Sequence, residues 1–129
     1  MRKDIMVIDG SKAIRYMLHT ILKKNYKVIS VPDGVSAMYY LRESAHPDLI
    51  IMDPELPDLG SWELVRHLSG SHLYASIPLL VISNQPEDET RVKAINYGVM
   101  DFFQKPFNPL HLLDSVENIL VGNAMGKVY

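Results

Sequence analysis

Cysteine is absent from the chain, which excludes disulfides and thiolate metal centres and gives no support to an oxidising compartment. No apolar stretch approaches the length needed to cross a bilayer. The formal charge is only -2, from 13 Lys and Arg against 15 Asp and Glu. Neither nucleic acid nor an anionic membrane surface is therefore favoured electrostatically. The opening Met1-Arg2-Lys3-Asp4 enters a strand pattern after one turn of charge, without the apolar core and small-residue cleavage site of a signal peptide. Linkers, repeats and low-complexity segments are missing too. These absences point to a cytoplasmic protein of one domain.

What is there is an ordinary globular composition, 47% hydrophobic and 22% charged over 129 residues, enough chain to bury a real core. The runs Ile5–Ile8, Leu49–Met52 and Leu79–Ile82 are apolar without alternation. That is the pattern of strands covered on both faces, as in a parallel sheet. Tyr26–Val31 and Met100–Gln104 read as two further strands. Between them lie helical stripes. Ile14, Met17, Leu18, Ile21 and Leu22 predict a helix from about Ser11 to Lys24. Val35, Met38 and Leu41 follow the Pro32-Asp33-Gly34 turn and predict a short helix ending near Arg42 or Glu43. Trp62, Val65 and Leu68 mark a third helix, stopped around Gly70. Pro86-Glu87-Asp88-Glu89 opens a fourth, its acids suited to the helix dipole, with Val92, Ile95 and a closing Gly98. Leu112, Leu113, Val116, Ile119 and Leu120 stripe the last. Five strands alternating with five helices imply a doubly wound α/β fold with right-handed crossovers. Residues 1–121 form the domain, and 122–129 a short frayed tail.

The central run ends at Asp53, and Pro54 bars a further ladder hydrogen bond, which places the Asp53 carboxylate at the strand's C-terminal end. Ligands and chemistry sit at that edge in open parallel sheets. Asp9, Ser83 and Lys105 end three other strands, so two acids, a hydroxyl and an amine should converge there. Gly10-Ser11-Lys12 lacks the leading glycine and the order of a phosphate-binding loop. The five histidines, His19, His46, His67, His72 and His111, show no ligand pairing and read as surface residues.

Val7-Ile8-Asp9, the Asp53…Pro57 turn, the Ser83 strand end and Phe102-Phe103-Gln104-Lys105-Pro106-Phe107 together resemble the receiver domains of bacterial two-component response regulators, especially the single-domain chemotaxis type. The resemblance runs from Ile5 to about Leu120. It implies a flavodoxin-like (βα)5 sheet of order 2-1-3-4-5, with its crevice between the first and third strands. It assigns Asp53 as the acceptor of a phosphoryl group from a sensor histidine kinase or phosphotransfer protein. Lys105 matches the lysine that pairs with the acid and then with a phosphoryl oxygen. Ser83 matches the hydroxyl that bonds the phosphoryl group and moves on activation. Phe102 matches the aromatic that reports the movement to a protein-binding surface on the fourth helix, fifth strand and fifth helix, though it also suits plain core. Asp9, Asp53 and the backbone carbonyl of Glu55 match the ligands of Mg²⁺. The implied protein is a signalling module and not an enzyme, a monomer or phosphorylation-dependent dimer, with an unidentified downstream protein partner.

The departures are specific. Gly10 stands where the family has a second acid that binds Mg²⁺ directly, so a hard oxygen ligand and a negative charge are lost and the metal should be held weakly. Pro54 has no N–H to offer a phosphoryl oxygen. Gly60-Ser61 replaces a common Asp-Gly, and Asn84 replaces a small residue and is expected to narrow access. The Glu55 side chain either restores the charge missing at Gly10 or points into solvent. Three functions follow in order. The first is a phosphorylatable receiver. The second is a pseudo-receiver that binds partners without phosphorylation. The third is a flavodoxin-like enzyme or nucleotide-binding protein, for which Asp9-Gly10-Ser11-Lys12-Ala13 supplies little of the required loop.

Overall fold

The computed structural model describes residues 2–125. Five strands, β1 (Asp4–Ile8), β2 (Lys27–Val31), β3 (Leu49–Met52), β4 (Leu79–Ser83) and β5 (Asp101–Gln104), alternate with five helices, α1 (Lys12–Leu22), α2 (Gly34–Glu43), α3 (Glu63–Gly70), α4 (Glu87–Asn96) and α5 (Pro109–Met125). All pairings are parallel and the order is β2-β1-β3-β4-β5. That is the flavodoxin-like sheet expected from the sequence. The non-alternating runs are buried on both faces: Ile5–Ile8 and Leu49–Met52 are entirely inaccessible. Ile5, Val7, Leu49, Ile51, Leu80 and Ile82 join a core with α1 and α5. Met6, Ile8, Ile50, Met52, Leu79 and Val81 face the opposite core, with α2, α3 and α4.

Side chains start most of the helices. The Ser11 hydroxyl accepts from Ile14 N–H, the Asp33 carboxylate from Ser36 N–H, and the Asn108 amide oxygen from Leu110 N–H, satisfying donors that the first turn leaves unpaired. Two helices lack such a cap. α4 begins at Pro86 with Glu87, Asp88 and Glu89 in its first turn, favourable to the dipole. α3 begins at Trp62, which has φ 61°, a rare conformation for a bulky residue, costing about 1–3 kcal/mol.

Two details differ from the sequence reading. Val92 and Ile95 face outward, 59% and 71% exposed, and α4 buries only Thr90 and Ala94. The last helix continues through Gly122 to Met125, so the first residues of the expected tail are helical; 126–129 lie outside the described residues. Among the described residues no helix is long and apolar enough to cross a membrane.

Candidate functional site

Strand register brings the two acids together. Ile8 pairs with Met52 at the end of β1 and β3, and Asp53 N–H donates to the Ile8 carbonyl at 2.9 Å. Asp9 and Asp53 therefore leave adjacent strands side by side, and both are buried, 1% and 5% exposed. Their carboxylates are oriented by the backbone. Ser11 N–H donates to Asp9 Oδ1 and Glu55 N–H to Asp53 Oδ1, each at 2.8 Å. Arg15 fixes the same corner by donating to the Asp9 carbonyl at 2.7 Å.

Lys105 closes the pair. Its backbone N–H donates to the Ser83 carbonyl at 2.8 Å, which seats the residue just beyond β5. From there the side chain reaches across the end of β4. Nζ donates to Asp9 Oδ2 at 2.8 Å and to Asp53 Oδ2 at 2.7 Å. Burial opposes the ammonium charge, but hydrogen bonds and Coulomb attraction from Asp53 and Asp9 outweigh it. The Lys105 pKa is raised above its ordinary 10.5. One cation thus bridges two buried anions, in the arrangement that makes removal of any member costly. The Lys105–Pro106 peptide is cis.

Ser83 is fully buried at the end of β4, and its hydroxyl oxygen accepts from Gln85 N–H at 2.9 Å, leaving the O–H proton as its remaining donor. Asn84 beside it is exposed. Phe102 is partly buried against the α2–α4 side of the core, with the Arg91 guanidinium 5.3 Å from its ring centre. Glu55 is not drawn into the acid pair: its carboxylate accepts a hydrogen bond from the Ser61 hydroxyl. Among the described residues no three His, Cys, Asp or Glu side chains cluster to hold a metal. The donors present still fit a weakly held hard cation. Each carboxylate oxygen of Asp9 and Asp53 accepts one hydrogen bond and retains a lone pair. Mg²⁺ is commonly held by one or two carboxylates with water completing its shell.

Residues 5–117 match the family model of the response regulator receiver domain. The chain belongs to that family. Among related proteins, the regulatory protein VanRc of Enterococcus gallinarum is 31% identical over 121 residues, covering 93% of this chain and 51% of that protein. The sensor histidine kinase TmoS of Ectopseudomonas mendocina is 31% identical over 127 residues, covering 95% of this chain and 13% of the kinase. The chain therefore spans about half the first protein and a small part of the second. Among solved structures, the chemotaxis response regulator CheY4 of Vibrio cholerae superposes with TM-score 0.82 at 26% identity, covering 92% of this chain and 99% of that one. The signal receiver domain of a Syntrophus aciditrophicus signal transduction histidine kinase gives 0.85 at 26%, covering 98% and 96%. Receiver domains are the signalling partners of histidine kinases in two-component systems, not classical enzymes, and carry Mg²⁺ at their phosphorylation site.

Two residues of this receiver domain escape a reading by local pattern. Asp58 donates nothing to the acid pair, yet its carboxylate accepts from Gly34 and Val35 N–H, both at 2.9 Å. It fastens the β3–α3 loop to the start of α2. The approach is close: a Cβ on Gly34 would lie 2.2 Å from Leu59 Cδ1. A cap from 24 residues away leaves no local signal. The two N–H groups hold the Asp58 pKa below its ordinary 3.8. A depressed folded pKa contributes stability that is present above the ordinary value and lost as pH falls through the folded one. Asp58→Asn is therefore expected to lose less stability than the native chain between pH 5 and about pH 3, as read by urea unfolding at the two pH values. Trp62 is the second such residue, since its helical spacing conceals its left-handed backbone.

Proposed function

We propose that the chain accepts a phosphoryl group on Asp53 from the phosphohistidine of a kinase or phosphotransfer protein and passes the signal on by protein contact. The observation that carries this reading is the Lys105 ammonium bridging two buried carboxylates at the C-terminal edge of a parallel sheet. Phosphoryl transfer asks mainly for alignment and charge stabilisation. In the reaction a carboxylate oxygen of Asp53 forms a P–O bond as the P–N bond to the donor histidine breaks. The imidazole leaves with the bonding electron pair and takes a proton from solvent.

The residues have separable tasks. The Glu55 N–H orients Asp53 from one side. Lys105 gives up one carboxylate contact and pairs with a phosphoryl oxygen, remaining bound to Asp9. Ser83 donates its O–H to another phosphoryl oxygen, and Phe102 follows that movement. Asp9, Asp53 and the Glu55 carbonyl would hold Mg²⁺, which supplies charge neutralisation for the phosphoryl oxygens. Pro54 adds no donor. Its carbonyl is occupied by Trp62 N–H at 2.9 Å.

One observation favours a second reading, the pseudo-receiver. Gly10 contributes no acid, and the Lys105 ammonium already bridges the two remaining carboxylates, offsetting half of their charge. Such a chain would hold its partner through the face of α4, β5 and α5 irrespective of phosphate. Incubation with acetyl phosphate, with and without Mg²⁺, followed by intact-mass analysis separates the two. Mg²⁺-dependent gain of one phosphoryl group supports the first; a folded, unlabelled protein at every Mg²⁺ concentration supports the second.

A further inference from the structure

Trp62, the single tryptophan of the chain, touches both the phosphoacceptor turn and α4. Its backbone N–H donates to the carbonyl of Pro54, the residue after Asp53, at 2.9 Å. Its indole is buried, 3% exposed, and stacks on Tyr97 at the end of α4, with ring centres 6.2 Å apart and planes 22° from parallel. Lys93, one turn earlier on α4, places Nζ 5.8 Å from the indole ring. Arg91 clasps Phe102 in the same way, so α4 rests on two aromatic rings, each through a cation.

The helix so held is poorly anchored otherwise. Its buried side chains are the small Thr90 and Ala94, and the Thr90 hydroxyl has no hydrogen-bond partner among the described residues, an unfavourable state for a buried polar group. Trp62 adopts a left-handed backbone. Tyr97 also borders a cleft of about 380 Å³, shared with Ser69, Ile77, Pro78 and Met100. Strain at the contact, a helix with little core to bind it and a cleft at its C-terminal end are the ingredients of an element with two arrangements.

We infer that Trp62 is a positioning residue that couples α4 to the turn carrying Asp53, alongside Ser83 and Phe102. Whatever packs or unpacks Tyr97 and Lys93 against the indole alters the hold on the Pro54 carbonyl and so the setting of Asp53. Coupling is reciprocal: a protein bound to the exposed face of α4 changes the readiness of Asp53, and phosphate on Asp53 changes the packing of Trp62. The consequence for phosphate rests on the function proposed above; the coupling itself does not.

The test compares the full chain with Tyr97→Ala and Tyr97→Phe, reading the Glu55 amide resonance without any phosphodonor and the rate of labelling by phosphoramidate. Tyr97→Ala is expected to displace the Glu55 resonance and slow labelling by about threefold or more, the low end of couplings carried through packed contacts. Tyr97→Phe, which keeps the stacked ring, is expected to restore both. A folded Tyr97→Ala with the Glu55 resonance unmoved overturns the inference, as does failure of Tyr97→Phe to restore it. Should Tyr97→Ala not fold, Lys93→Gln, at an exposed position, takes its place, with a displaced Glu55 resonance expected and an unmoved one decisive against. If the resonance moves while no protein is labelled, the coupling stands and the phosphoacceptor reading falls.

Discussion

Lys105→Met is expected to destabilise the folded chain by about 3–5 kcal/mol at neutral pH, the usual cost of stripping one partner from a buried ion cluster. The Lys105 side chain is 9% exposed, and those of Asp9 and Asp53 are 1% and 7% exposed, so little solvent is at hand to replace the lost cation. The pH dependence should move to a lower window as well. In the native chain the Lys105 pKa is raised, so its contribution is fully present below about 10.5, the ordinary lysine value, and is lost as pH rises through the folded value. Without the ammonium, two carboxylates face each other, and like charges at this range favour uptake of a proton. A folded state that binds more protons than the unfolded one gains stability as pH falls. Urea unfolding at pH 5 and pH 8 reads both effects. A variant as stable as the native chain, with no gain at the lower pH, would show that the bridge contributes nothing.

Gly10→Asp is expected to tighten Mg²⁺ binding by about tenfold or more, equivalent to about 1.4 kcal/mol. It returns a carboxylate beside Asp9, and hard divalent cations respond to each added oxygen ligand and charge. The position tolerates the change. A Cβ at Gly10 meets Pro57 Cδ at 3.4 Å and the Pro32 carbonyl at 3.8 Å, ordinary contacts, and Gly98 is the glycine with a left-handed backbone among those described. The same substitution adds a third acid to a site where one lysine already faces two, so the metal-free variant should be less stable than the native chain. Titration by calorimetry measures the affinity. Equal or weaker binding in Gly10→Asp would mean that the added acid does not reach the cation.

The fold was legible because burial on both faces writes itself into the strands. Leu49–Met52 and Leu79–Ile82 have no polar face, and such short runs bounded by turn signals suit strands of a sheet covered on both sides. The convergence of Asp9, Asp53 and Lys105 followed from the same pattern, since each stands where an apolar run stops. Helix faces were less legible. Val92 and Ile95 carry the only large apolar side chains at helical spacing on α4, yet the helix turns them outward and buries the small Thr90 and Ala94. Spacing identifies a helix but does not say which side neighbouring elements leave room for. Glu55 posed two alternatives that its own position did not separate; its hydrogen bond to Ser61, six residues on, is a loop contact with no periodic signature. Asp58 and Trp62 act through tertiary partners on α2 and α4, and for such contacts the sequence offers the residue type alone.

Asp53 is the group proposed to take phosphate. Labelling with acetyl phosphate and Mg²⁺, followed by borohydride trapping and peptide mass mapping, tests this most directly when the native chain and Asp53→Asn are run together. One modified residue, Asp53, is expected in the native chain and no adduct in Asp53→Asn. A stable adduct at another residue, or undiminished labelling of Asp53→Asn, would contradict it.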